Sequence, residues 1–240
     1  MSSIIISPLM LLLSYYIWKA VYSSKEVILG YSFSQMITYY VLTMIIGHFI
    51  FNMVGTDLQD KIVAGELNQD LLKPFSLINQ FLAITSAERM FAFFVEVIPV
   101  FIISFLIFKI SIPNFLVFFL FFIAIIMAFF LNFFINFFIG IFAFWLYKIE
   151  SLQWLLFFFI RFASGEFIPL EFFGMFFFNL SKFLPFYYIR YGVIQIYIER
   201  FTLIESIKFI GLQLIWLFIL IFACKIFLSI AIKKYAGRGG

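Results

Sequence analysis

The stretch ISIPNFLVFFLFFIAIIMAFFLNFFINFFIGIFAFWLY, Ile110–Tyr147, contains no Asp, Glu, Lys or Arg. A membrane helix needs about 20 mostly apolar residues to cross a hydrocarbon core of about 30 Å. As one helix this run would be roughly 57 Å long, too long for a single crossing without large tilt or a projecting end. Pro113 and Asn114 place the helix start just after a short turn, giving a span over 115–146. The rest of the chain has the same character. Of its 240 residues, 65% are hydrophobic and 12% charged, against about 45–50% and about 25% in an ordinary soluble domain. A soluble fold of this size would leave large apolar patches in water. The sequence therefore specifies an all-α polytopic membrane protein, with the lipid bilayer as its first partner.

Outward from this run, five more spans are read. The first covers 4–21, with Trp18 and Tyr22 as interface anchors and Lys19 able to snorkel. The second covers 32–54, in a stretch free of Asp, Glu, Lys and Arg between Glu26 and Asp57. The others cover 90–108, 149–165 and 209–232. Together they form a single transmembrane domain over residues 1–240. Between the second and third spans lies a charged loop, 57–89, in which Leu58, Ile62, Leu67, Leu71 and Leu72 recur at near-helical spacing. It reads as one or two amphipathic helices at the membrane face. The segment 166–206, with Pro169, Gly174, Pro185 and Gly192, reads as a re-entrant helical hairpin in the outer interface.

Six spans put both termini on one side. Lys233, Lys234 and Arg238 lie close enough to the last span for the positive-inside rule to place that side in the cytoplasm. The N-terminus has no basic residue before its apolar stretch, which argues against a cleaved signal peptide. The single cysteine, Cys224, excludes an internal disulfide and a multi-cysteine metal site. The net charge of +4 comes without a basic patch interleaved with aromatics, so no nucleic-acid partner is expected. The 41 phenylalanines read as compositional bias rather than as an aromatic binding site.

The polar residues inside the spans are few. His48 is the only histidine, so a two-histidine metal site cannot form. Asn132 and Asn136 share a helix face; they either line a path or join helices. Glu96 lies inside the third span, where a carboxylate is costly and marks a functional candidate. Its alternative is an ion pair with Arg161, or protonation near the interface. Glu96, Asn132, Asn136 and His48 are thus the candidates for an intramembrane polar path. Asp57 and Asp60 share a helix face and could hold Mg²⁺ against a phosphate, which keeps open an enzyme acting on lipid phosphates. No Gly-x-x-x-x-Gly-Lys-Ser/Thr loop is present, so any ATP hydrolysis belongs to another chain.

Three segments carry a family resemblance. The loop Asp60-Lys-Ile-Val-Ala-Gly-Glu-Leu-Asn-Gln-Asp-Leu-Leu-Lys-Pro74 matches an Ile-x-x-Gly-x-Leu-x-x-x-Leu-Leu-x-Pro pattern at Ile62, Gly65, Leu67, Leu71, Leu72 and Pro74. Ser164-Gly-Glu-Phe-Ile-Pro-Leu170, followed by Leu184-Pro-Phe186, is similar to a Gly-x-x-x-Pro-Leu and Leu-Pro-Phe hairpin. Gln213, Trp216 and the Gly-Arg-Gly-Gly ending supply the third. In this order the chain resembles ABC-2-type exporter permeases, in particular the daunorubicin-resistance-like branch. It departs from them in lacking a charged amphipathic helix before the first span. It also has Arg190 and Tyr191 where a proline is usual.

The resemblance implies a permease subunit in a prokaryotic cell membrane, paired with a second permease and driven by cytoplasmic ABC ATPase subunits. ATP and Mg would be held by those subunits, with no cofactor and no catalytic residue on this chain. It implies that the 57–74 helix docks on the ATPase. Leu67, Leu71 and Leu72 would be the buried contact and Asp60, Lys61, Glu66 and Asp70 the polar rim, with Asp57 among the coupling residues. Gly165, Pro169, Leu170 and Pro185 would shape a hairpin over the outer exit. A non-transporting assembly subunit is the remaining alternative.

Overall fold

A computed structural model describes residues 2–108, 110 and 112–236. Arg238 and the Gly-Arg-Gly-Gly ending invoked above lie outside these residues. The chain is helical almost throughout. α1 is Ser2–Val21, and a two-residue ribbon follows, β1 Val27–Ile28 with β2 Tyr31–Ser32, closed by Leu29 and Gly30 at positive φ. α2, Phe33–Ile50, starts on a capping box: the Ser32 hydroxyl accepts the Gln35 N–H, and Gln35 accepts the Ser32 N–H.

The expected second span then breaks. Residues 51–53 are non-helical, and α3, Val54–Val63, begins on the other side. After α4, Leu67–Leu71, the chain turns. α5, Leu77–Ala92, starts on Ser76, whose hydroxyl accepts the Asn79 N–H. A π-helical turn, Phe93–Val97, joins α5 to α6, Ile98–Phe108. Pro99 accounts for the turn: it lacks an N–H and its ring crowds the carbonyl four residues back, so the ladder is relieved just ahead of it. The loop expected over 57–89 is therefore mostly helix. Its second half is the base of the long helical stretch Leu77–Phe108.

α7, Phe115–Ile141, is capped by Asn114, which accepts the Val117 N–H at 3.0 Å. α8 is Ala143–Leu146 and α9 is Glu150–Ala163. Beyond α9 come a 3₁₀ turn at Leu170–Phe173, α10 at Met175–Ser181, a second 3₁₀ turn at Pro185–Tyr188 and α11 at Tyr191–Tyr197. α12, Leu203–Ala236, closes the chain.

Among the described residues, four helical stretches can cross a membrane by length and composition: Phe33–Val63, Leu77–Phe108, Phe115–Leu146 and Leu203–Tyr235. The expected first and fifth spans are shorter. The apolar part of α1 is Leu9–Val21, and the 14 residues of α9 extend about 21 Å. α7 is the central post, packed against α2, α3, α9, α11 and α12. Fully buried Ala124 and Ala128 let neighbours approach it. Gln213 of α12 donates to Ala124 O at 3.0 Å and Tyr188 O at 2.9 Å, tying the hairpin segment to both helices. Exposed Ile215, Phe218 and Phe222 on α12, and Ile102 and Leu106 on α6, form the apolar exterior that lipid covers.

Candidate functional site

The loop 64–76, expected on the inner face and here called the inner loop, is built around Asp70. Gly65, at φ +75°, ends α3 in the left-handed conformation that a glycine adopts without strain. The chain doubles back through α4. There the buried Asp70 carboxylate accepts Lys61 Nζ at 2.5 Å and Lys73 Nζ at 2.6 Å. These two bonds hold its pKa below the usual aspartate value, against the opposing effect of burial. Gln80 Nε2 donates to the carbonyls of Asp70 and Phe75, both at 2.9 Å, closing the loop on α5.

This corrects the contact expected for the leucines. Leu67 is fully buried, packed with Leu58, Leu77, Ile78 and Phe81 inside the chain's own core, and Ile62 joins the same cluster. The periodicity that singled Leu67 out is the signature of internal packing. The apolar groups that project are Leu72, 87% exposed, and Phe75, 68% exposed, with Leu71 at 36%. Glu66, Lys73 and Pro74 surround them, and Asp57 and Asp60 stand exposed on α3.

α3 is clamped between two helices. Gly55 and Gly140 meet face to face: a Cβ on Gly140 would lie 2.7 Å from Gly55 Cα. Gln153 of α9 fills the remaining space, donating to Asn136 O at 3.5 Å. Gln59 accepts the Ile149 N–H at 2.5 Å, at the residue that precedes α9. None of these four residues was singled out from the sequence, because glutamines and glycines in apolar runs have no distinctive spacing.

The helix break at 51–53 gives Asn132 its role. Ile50 O, freed by the break, accepts Asn132 Nδ2 at 2.7 Å and Asn52 Nδ2 at 3.1 Å. Asn136 Nδ2 turns back to Asn132 O at 2.8 Å. Glu96, carried on the π-helical turn, faces His48 Nδ1 at 3.2 Å. Arg161 is not its partner: that guanidinium pairs with Glu166 at 2.7 Å, only five residues away. Glu166 also binds Arg190. His48, Asn132, Asn136, Arg161, Glu166 and Arg190 share the wall of a cavity of about 340 Å³. Glu96 reaches His48 from outside that wall. Arg190 is the residue that departs from the family pattern, and its place in an apolar segment was the signal available in the sequence.

The hairpin segment is pinned at the other end of the molecule. Gly165, at φ +77°, has its carbonyl bonded by the buried Tyr39 hydroxyl at 2.5 Å. Tyr40 donates to Phe167 O at 2.6 Å, and the Tyr191 N–H to Ser164 O at 3.0 Å. Leu170 and Pro185 are buried, following Pro169 into the interior. Glu171 accepts the Tyr31 and Tyr191 hydroxyls, and Arg200 lies 3.7 Å away, stacked on the Tyr31 ring. Burial, then the Glu171 charge, raises the pKa of Tyr31, so its phenol stays a donor.

Residues 8–239 match the family described as ABC-2 family transporter protein. The chain belongs to this family. It is an ABC-2-type permease and a multi-pass membrane protein. No curated protein and no solved structure matches the chain. Within the permease, the clamped inner loop, the polar cavity and the pinned hairpin segment are joined by two elements, α3 and α9.

Proposed function

We propose that this permease is the membrane half of an ATP-driven exporter, with its tip Leu71–Phe75 seated on a separate ABC ATPase. The supporting observation is the inner loop. Its apolar tip projects from a base clamped by Asp70, Lys61, Lys73 and Gln80. A tip held this way transmits force instead of folding away under it. In this reading Glu66, Asp60 and Lys73 form the polar rim and Leu72 and Phe75 the buried anchors.

Force on the tip passes into α3. One route is a tilt of the second and third spans. The contacts favour another: α3 is separated from α2 by the break at 51–53 and is locked to α7 by Gly55–Gly140 and to α9 by Gln59. Movement of α3 would then displace α9, whose far end holds Arg161 and, through Glu166, Arg190. Six crossings, with α1 and α9 completed by neighbouring segments, would leave both termini in the cytoplasm and the 164–202 segment as a re-entrant cap on the outer side. A second permease copy or a similar partner would close the path. The setting is a prokaryotic cell membrane, with ATP and Mg on the ATPase.

The test is capture of the ATPase in detergent by tagged permease. Wild type should retain an ABC ATPase, and Leu72→Asp/Phe75→Asp should lose it while staying monodisperse. Capture by both would move the docking surface elsewhere. Absence of an ATPase from well-folded wild type would overturn the reading and turn attention to Asp57 and Asp60 as a lipid-phosphate site.

A further inference from the structure

The cavity between α1, α2, α7 and α9 carries more positive charge than its own side chains match. Two guanidiniums, Arg161 and Arg190, share the single carboxylate of Glu166 on its wall. The Arg190 side chain is 7% exposed. Its Nε is buried and has no hydrogen-bond partner among the described residues, and the same holds for Thr43 Oγ1 and Asn52 Oδ1 on that wall. A guanidinium N–H left without an acceptor in a low-dielectric site is costly. Glycine at position 47 keeps the site open: a Cβ there would lie 3.1 Å from an Arg190 terminal nitrogen.

Apart from His48, Asn132 and Asn136, the rest of the wall is apolar. Met44, Phe157 and Ile160 line it, and Ile6 and Met10 of α1, each about half exposed, stand at its rim. A volume of about 340 Å³ is at the small end of ligand sites. It suits a headgroup better than a whole amphiphile. We infer that this cavity binds the anionic headgroup of an amphiphile, with Arg190 and Arg161 on the anion and the hydrocarbon tail leaving past Met10 between α1 and α9. This rests on the transport reading for its purpose and names the substrate class: an anionic amphiphile taken laterally from the membrane. Arg190 is the specificity determinant. It forks onto the anion from the hairpin segment, while Arg161, stacked on the Phe157 and Phe167 rings, holds the α9 side.

The test is photolabelling of purified permease in phosphatidylcholine nanodiscs, with no ATPase present. The probe is a diazirine-bearing monoalkyl phosphate; the control is the diazirine-bearing alcohol of the same chain length. Labelled peptides are located by mass spectrometry. The phosphate should label α9 and the Met10 region about tenfold more than the alcohol, the ratio given by one charge-assisted contact. Arg190→Gln and Arg161→Gln should abolish that preference, and Arg190→Lys should keep part of it. Arg161 is the more exposed of the two, so Arg161→Gln decides the matter if Arg190→Gln does not fold. Equal labelling by phosphate and alcohol, or a preference that survives Arg161→Gln, would overturn the inference. Displacement by inorganic phosphate at the same concentration would make this a free-anion site and overturn the amphiphile assignment. Because the ATPase is absent, this result and the ATPase capture above stand or fall separately.

Discussion

Gln59 Oε1 accepts the Ile149 N–H at 2.5 Å, so a side chain of α3 caps the approach to α9. Its amide nitrogen reaches Asp60 at 3.2 Å and Glu150 at 3.4 Å. One side chain thus joins the helix behind the inner loop to the helix that leads to Arg161. Gln59→Leu would leave the Ile149 N–H buried without an acceptor. The expected loss is about 1–3 kcal/mol in denaturant unfolding. ATPase capture should persist while transport falls, because the docking tip is untouched and its linkage is cut. Unchanged stability would show that the bond is dispensable.

The Gly55–Gly140 crossing sets how closely α3 can follow α7. Gly140→Ala places a methyl 2.7 Å from Gly55 Cα, and overpacking of this kind costs about 1–3 kcal/mol. Gly211→Ala on α12 is the control, since a Cβ there meets nothing within 4 Å. That change should stabilise the helix by about 0.5–1 kcal/mol. Thermal unfolding of the two variants should therefore move in opposite directions. A shift of the same sign in both would remove the close crossing from the account.

α7 was legible in the sequence because an uncharged run and an Asn cap are local features. Asn114 takes the cap that its position announced. Leu67 was misplaced because its spacing matches that of Leu71 and Leu72, and only the packing of α5 behind it decides which leucine is inside. The break at 51–53 carries neither Gly nor Pro. Asn132 could therefore be recognised as a polar residue in a span, but not as the donor to Ile50 O. For Glu96, Arg161 was one of the alternatives weighed as a partner. The structure gives each a nearer partner, His48 and Glu166.

Asp70 makes the inner loop sensitive to acid in a direction fixed by its partners. Its pKa is lowered from 3.8 by hydrogen bonds from Lys61 and Lys73. A carboxylate with a depressed folded-state pKa contributes stability above its unfolded pKa and loses it as pH falls through the lowered one. Loop 64–76 should therefore resist amide exchange unchanged from pH 7 to about pH 5 and open only below about pH 4. Asp70→Asn should open it already at pH 7, with exchange roughly tenfold faster. A wild-type loop that loosens between pH 7 and pH 5 would assign the titration to another group.

The last prediction concerns Pro99 and the pair it positions. Glu96 meets His48 at 3.2 Å because the π-helical turn at Phe93–Val97 rotates it toward α2. That turn lies immediately before the helix segment containing Pro99, where the ladder cannot close normally. The pair should be coupled by about 0.6 kcal/mol, at most about 1.7, the range for polar contacts between membrane helices. A double-mutant cycle of His48→Ala and Glu96→Gln measures this from unfolding free energies. In a Pro99→Ala background an ordinary α-helix can form through residue 95. Glu96 then turns away from α2, and the coupling should fall toward zero. If the coupling is undiminished in that background, Pro99 does not set the turn. If there is no coupling in either background, the pair is a contact without energetic weight, and the case for Glu96 in a polar path is lost.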